Sequence, residues 1–115
     1  MKYKLLSVII TTFERNIQIL DRAVLSVKNQ TYPYIEIVVI DDNLNDSELS
    51  PKIKEYCRKQ NIVYLKQFGN LGACMARNLG VANSNGEYIA LLDDDDEWFP
   101  TKAQEQIDYI NQGYS

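Results

Sequence analysis

Histidine is absent from these 115 residues. Ser-His and Cys-His nucleophilic catalysis are thereby excluded, and a general base has to be a carboxylate or come from elsewhere. Cysteine is scarce. Cys57 and Cys74 fall in predicted helices without metal-ligand spacing, so they read as reduced cytosolic thiols and not as a disulfide framework. No apolar run approaches the roughly 20 residues of a membrane-spanning helix, and the N-terminus carries no secretory h-region. Basic residues are outnumbered, 12 Lys and Arg against 16 Asp and Glu for a net charge of −4, which argues against a nucleic-acid footprint. Neither a Gly-x-Gly-x-x-Gly nor a Walker lysine loop follows the first apolar run. A dinucleotide-binding Rossmann domain and a P-loop NTPase are both disfavoured by that.

What remains has the composition of an ordinary globular domain, 45% hydrophobic and 24% charged. A chain of this length forms one domain at most and buries roughly two-thirds of its unfolded surface. Its hydrophobic pattern alternates between two periods. Residues 5–10 form a short β-branched run, a strand buried on both faces. Over residues 16–29, Ile17, Leu20, Val24 and Val27 recur at helical spacing. Residues 34–40 give a second strand, and residues 47–60 a second helix with Leu49, Ile53 and Tyr56 on one face, ended by Asn61. Residues 62–66 read as a shorter third strand nearer an edge. After a loop over residues 69–72, residues 73–82 form a helix of small residues able to pack tightly on a sheet. Residues 88–92 read as a fourth, buried strand. Pro100 is expected at the first position of a last helix, with Ile107 and Ile110 inward and Gly113 as its stop. The β-α repeat predicts an α/β fold, a mainly parallel four-stranded sheet flanked by helices.

The fourth strand runs into four consecutive aspartates, residues 93–96, followed by Glu97. Adjacent like charges repel, and a divalent cation relieves that cost. Mg²⁺ takes oxygen ligands, commonly one or two carboxylates with substrate phosphates completing the shell. The plainer reading is a solvated acidic turn that also favours a following helix N-terminus. Position weighs between the two. In open parallel sheets ligands bind outside the carboxyl ends of the strands. Thr11-Thr12-Phe13 follows the first strand, Asp41-Asp42 the second, Gly69-Asn70-Leu71-Gly72 the third, and the aspartates the fourth. Thr11 and Thr12 can satisfy the polar edge of a base, and Phe13 offers a ring for stacking. Asp42 can accept from a base imino group or a ribose hydroxyl, while Asp93 and Asp95, two apart, can address a metal and a sugar.

These residues carry a resemblance. Ser7-Val8-Ile9-Ile10-Thr11-Thr12-Phe13, Asn29-Gln30-Thr31-Tyr32, Ile37-Val38-Val39-Ile40-Asp41-Asp42, Asn70-Leu71-Gly72, Ala76-Arg77-Asn78 with Gly80, and Gly86-Glu87-Tyr88-Ile89 leading to Leu92-Asp93-Asp94-Asp95-Asp96-Glu97-Trp98 resemble family 2 glycosyltransferases. The resemblance implies a Rossmann-like GT-A fold, here its N-terminal half, binding a nucleotide diphosphate sugar, often a UDP-sugar, with Mg²⁺ or Mn²⁺. It implies that Thr11 and Phe13 border the base, that Asp42 with Asp41 holds base or ribose, and that Arg77 contacts the diphosphate, although an arginine on a helix near an acidic edge is as often a salt-bridge partner of those aspartates. Asp93 and Asp95 would form the Asp-x-Asp motif, with Asp95 the foremost metal ligand and Asp94 a ribose contact. The first loop departs from the Pro-Thr-Tyr-Asn of many members: the stacking ring lacks its hydroxyl, and Glu14 adds a negative charge.

Inverting members carry their catalytic base in a downstream acceptor-binding half, which this chain is expected to lack, so no catalytic residue is assigned. The expected partners are a nucleotide-sugar donor and a carbohydrate or lipid-linked acceptor, in the cytoplasm or at the inner face of a membrane. An exposed apolar surface and self-association of the 115 residues are expected too. Two other classes are weighed. A sugar nucleotidyltransferase would carry a Gly-rich basic loop after the first strand, whereas residues 11–16 contain no glycine. A receiver-type signalling domain needs an aspartate at the end of its third strand, where Lys66-Gln67-Phe68 stands.

Overall fold

The two most apolar runs lie at the centre of the sheet. The computed structural model describes residues 4–68 and 71–112. The elements are β1 (Leu6–Thr12), α1 (Ile17–Lys28), β2 (Ile35–Asp41), α2 (Leu49–Gln60), β3 (Val63–Lys66), α3 (Ala73–Ala82), β4 (Tyr88–Asp93) and α4 (Lys102–Asn111). The strands pair in the order β3-β2-β1-β4, all in parallel. Gly69 and Asn70 of the expected loop, and the expected stop Gly113, lie outside the described residues.

Side-chain alternation divides the core. Leu6, Val8 and Ile10 of β1 and Ile37 and Val39 of β2 face α1, α2 and α4, packing with Leu20, Val24, Val27, Ile53 and Ile107. Ile9, Val38 and Ile40 point the other way, onto Ala76 and Leu79 of α3. The small residues of α3 permit a close approach. A Cβ added at Gly80 would stand 2.5 Å from Ile9 Cγ2 and 3.3 Å from Ile40 Cδ1.

Local signals set the helix ends. Asn16 caps α1, its side chain accepting from the Ile19 amide at 3.0 Å. Asn61 ends α2 in the left-handed conformation, φ 59°, a conformation that asparagine tolerates better than most residues. Pro100 does not begin α4 as expected. It precedes Thr101, the N-cap, and its carbonyl accepts from the Thr31 amide at 2.9 Å.

The fourth strand also corrects its reading. β4 is an edge strand, with Ile89 39% and Leu91 51% exposed. Leu91 is in register with Ile9 and so shares the α3 face of the sheet. Since α3 lies over β1 and β2, that face of β4 is left largely uncovered by the described residues. No described helix is long and apolar enough to cross a membrane.

Candidate functional site

Chain direction reverses its placement between β1 and β4: β2 and β3 lie on one side of β1, and β4 on the other. Such a switch point opens a crevice at the carboxyl ends of the strands. Thr11 is in register with Asp93, and Thr12 with Asp41, so the acidic and hydroxyl residues stand at one level. A cleft of about 460 Å³ lies there, lined by Thr11, Thr12, Phe13, Arg15, Asp42, Gly72, Ala73, Asp93, Asp94 and Asp95.

The two aspartates ending β2 do different things. Asp41 continues the face of Ile37 and Val39 and is fully buried. Its Oδ1 accepts from the Asn43 amide (3.0 Å) and Asn43 Nδ2 (2.8 Å), and its Oδ2 from the Tyr64 hydroxyl (2.7 Å). Burial opposes ionisation of Asp41, but the nearby Ser50 hydroxyl, Tyr64 and the two Asn43 groups outweigh it and hold the carboxyl below its usual range. The same contact pushes the Tyr64 phenol up, after burial itself. Asp41 is absent from the cleft lining. Asp42 belongs to it: its Oδ1 accepts from Gln67 Nε2 at 2.6 Å and its Oδ2 from the Gly72 amide at 3.1 Å.

Gly72 precedes α3 with φ 98°, and α3 begins without a side-chain cap or an acid in its first turn. Uncapped amides and the helix dipole favour an anion at this point. Against that stand the acids. Arg15 Nε lies 3.3 Å from Asp94 Oδ1 and its Nη2 3.2 Å from Asp95 Oδ2, Arg77 Nη2 lies 3.3 Å from Asp93 Oδ1, and Arg22 pairs with Glu97 at 3.1 Å. Four of the five carboxylates in residues 93–97 thus meet three guanidinium groups.

Two buried oxygens without a partner line the cleft, Thr12 Oγ1 and Asp94 Oδ2. A buried polar atom left unsatisfied costs about 1–3 kcal/mol, which a bound ligand or ion would remove. The donor set suits a hard divalent cation: Asp93, Asp95 and Asp96 each offer an oxygen, all within 4.8 Å of one another. Asp96 lines not the cleft but a neighbouring groove of about 990 Å³ along β4, which also takes in Arg77, Trp98 and Phe99. The groove and the cleft share Asp93.

Residues 7–115 match the family described as Glycosyl transferase family 2. The chain belongs to glycosyl transferase family 2. A relative from Campylobacter jejuni, GalNAc(5)-diNAcBac-PP-undecaprenol beta-1,3-glucosyltransferase, is 34% identical over 111 residues, 96% of this chain and 36% of its own. The structure of S. aureus TarS 1-349 in complex with UDP is similar with a TM-score of 0.78 and 23% identity, over 94% of this chain and 32% of that one. A mannosyltransferase from Pyrobaculum calidifontis in complex with GDP-Man and Mn²⁺ is similar with a TM-score of 0.67 and 18% identity, over 84% of this chain and 29% of that one. The fold is thus the GT-A fold expected from the family resemblance, and the chain spans about a third of the length of these proteins.

Within this family 2 chain the structure brings Thr11, Phe13, Asp42, Asp93, Asp94 and Asp95 to one cleft, leaves Asp41 beneath it, and places Arg77 in the adjoining groove. Phe13 is 41% exposed, its ring accessible for stacking. Arg15 and Gln67 are additions to the residues expected, and Gly72 and Asp96 gain specific places within the loop and the aspartate run already expected there. A cation beside the first loop, opposite a run of five acids at the end of a neighbouring strand, was the signal for Arg15. The Asp42–Gln67 bond has no counterpart in sequence spacing, since it joins β2 to the residue after an edge strand.

Proposed function

We propose that the protein transfers a sugar from a nucleotide diphosphate sugar, foremost a UDP-sugar, to an acceptor hydroxyl with inversion. The carrying observation is the convergence of Asp42, Asp94 and the orphaned Thr12 hydroxyl in one cleft with the acids that end β4. In this reading Phe13 stacks on the base, Asp42 accepts from its imino group, and Thr11 with Thr12 borders it. Asp94 takes a ribose hydroxyl on its unpartnered oxygen. The amides opening α3 face the diphosphate. Asp93 and Asp95 hold Mg²⁺ or Mn²⁺, which when bound offsets diphosphate charge and stabilises the departing nucleoside diphosphate.

Asp41 acts as a buried brace: it fixes Asn43, whose Oδ1 accepts from the Glu14 amide at 2.7 Å and so sets the first loop. Arg77 serves as the counter-charge of Asp93 and as a diphosphate contact once the donor is bound. Because the chain is about a third as long as its relatives, the general base and the acceptor site come from sequence outside these residues, and the 115 residues alone bind nucleotide without appreciable transfer. The acceptor is a carbohydrate or a lipid-linked glycan, the latter being named in the Campylobacter relative, and the protein works at the cytoplasmic face of a membrane. The largely uncovered face of β4 leads the isolated chain to self-associate.

Calorimetric titration of UDP with Mn²⁺, against the same titration in chelator, tests this reading. Binding that requires Mn²⁺ and is lost in Asp95→Asn is expected. Equal binding by Asp95→Asn removes the metal assignment, and tighter binding of GDP than of UDP removes the choice of donor.

A further inference from the structure

Arg15 is the one cation lining the cleft among the described residues, and its position is built from below. Glu14 turns the chain through the left-handed region, φ 54°, uncommon for a residue with a side chain. The Glu14 amide donates to Asn43 Oδ1 (2.7 Å), and Asn43 is held by the buried Asp41. This relay delivers the next residue, Arg15, across the mouth of the cleft to Asp94 Oδ1 and Asp95 Oδ2. Both bonds are long for a charge-assisted pair, 3.3 and 3.2 Å. They are also accessible to water, the Arg15 side chain being 42% and that of Asp95 49% exposed. Such contacts are weak and exchangeable. Asp94 meanwhile keeps its second oxygen buried and without a partner, although the guanidinium carries five donors.

We propose that Arg15 is a resident counter-cation that competes with the divalent ion for Asp95. In the nucleotide-free chain the guanidinium occupies the place between Asp94 and Asp95 and relieves their repulsion. Binding of the ion to Asp95 displaces it, and the released fork turns to the diphosphate, where planar bidentate donation suits phosphate oxygens. Arg15 makes metal and nucleotide binding favour one another: the ion alone has to evict a cation, whereas ion and diphosphate together supply it with a new partner. The inference rests on the proposed metal role of Asp95.

The sign of one measurement separates this from a merely structural clamp. If Arg15 only held the loop together, Arg15→Gln would let the acids splay and weaken metal binding. As a competitor, its removal strengthens it. Mn²⁺ would be titrated into the nucleotide-free chain and free Mn²⁺ followed by electron paramagnetic resonance, for wild type, Arg15→Gln, Arg15→Lys and Asp95→Asn. Thermal melting would confirm that each variant is folded. Arg15→Gln is expected to bind Mn²⁺ about three- to tenfold more tightly, in line with losing a weak exposed ion pair and one nearby positive charge. It should also bind UDP at saturating Mn²⁺ about three- to tenfold more weakly, as the released donors are gone. Arg15→Lys, which keeps the charge, should stay near wild type in Mn²⁺ affinity. Unchanged or weaker Mn²⁺ binding by Arg15→Gln overturns the proposal, as does the absence of Mn²⁺ binding in both proteins. Wild-type Mn²⁺ affinity in Asp95→Asn overturns the metal assignment instead, so the two failures are distinguishable.

Discussion

Thr11 and Asp93 are register partners across β1 and β4. That pairing brings a hydroxyl from the start of the chain beside the first of four aspartates, and it sets the crevice at the point where the strand order reverses.

Asp41 and Asp42 should separate stability from binding. Asp41→Asn replaces an acceptor saturated by Asn43 and Tyr64 and should cost about 2–4 kcal/mol of folding stability. Asp42→Asn can keep its bond from Gly72 and exchange polarity with Gln67, so it should cost about 1 kcal/mol or less. Nucleotide affinity should move the other way, falling about ten- to a hundredfold in Asp42→Asn, where an amide donor meets the base. Denaturant melts and UDP titrations on both variants check this. A larger binding loss in Asp41→Asn would reverse the assignments.

Acid should remove the contribution of Asp41. Its carboxyl ionises more readily folded than unfolded, so the unfolded chain binds the proton first as pH falls. The resulting stabilisation is complete above the ordinary carboxylate value of about 3.9 and disappears as pH falls through the lower folded value. Glu36 acts in the same direction: burial opposes its ionisation, but bonds from Asn85 and Ser7 prevail. Denaturation midpoints followed from pH 6 to pH 2 should therefore fall more steeply for wild type than for Asp41→Asn. Parallel curves would show that Asp41 contributes no such linkage.

Gly80 should not accept a methyl group. The added Cβ would meet Ile9 Cγ2 at 2.5 Å from within α3. Overpacking outweighs the gain in helix propensity, and Gly80→Ala should lose about 1–2 kcal/mol. Thermal melting reads this directly, and a stabilised variant would mean that α3 can move away from the sheet.

The two thiols should differ in reactivity. Cys57 is buried in the α2 core, where burial foremost and the Asp41 charge push its thiol up to about 12. Cys74 is exposed at the start of α3. A maleimide at neutral pH should label Cys74 within minutes and reach Cys57 only on unfolding, since thiolate fraction and access govern the rate. Mass spectrometry of peptides settles the pattern, and prompt labelling of Cys57 would place it outside the core.

Much of this was legible in one dimension because period and punctuation agree with the fold. Ile17, Leu20, Val24 and Val27 announced α1, Asn61 its neighbour's end, and the alternation of strands and helices the parallel sheet. What escaped depended on the third dimension. Residues 88–92 are as apolar as β1 and read as equally buried, but β4 lies at the edge and α3 covers only β1 and β2. Pro100 looked like a helix start, but it stands one residue before the cap, its carbonyl accepting from the Thr31 amide. Asp42 was put ahead of Asp41 as the ligand contact, but the burial of Asp41 as a brace shows only in the structure, where strand alternation turns it into the core and Asp42 to the cleft. Arg15 went unassigned because its acids lie 79 and 80 residues away.

The central claim is that the ends of β1, β2 and β4 form one nucleotide-binding cleft. Amide chemical-shift mapping of the isotope-labelled chain, titrated with UDP and Mg²⁺, tests it most directly. Shifts should concentrate at residues 11–15, Asp42, Gly72, Ala73 and residues 93–95, and leave Gln30, Glu36 and Ile62, at the opposite end of the sheet, unmoved. Shifts confined to that opposite end, or to the outer surface of α2, would contradict the account.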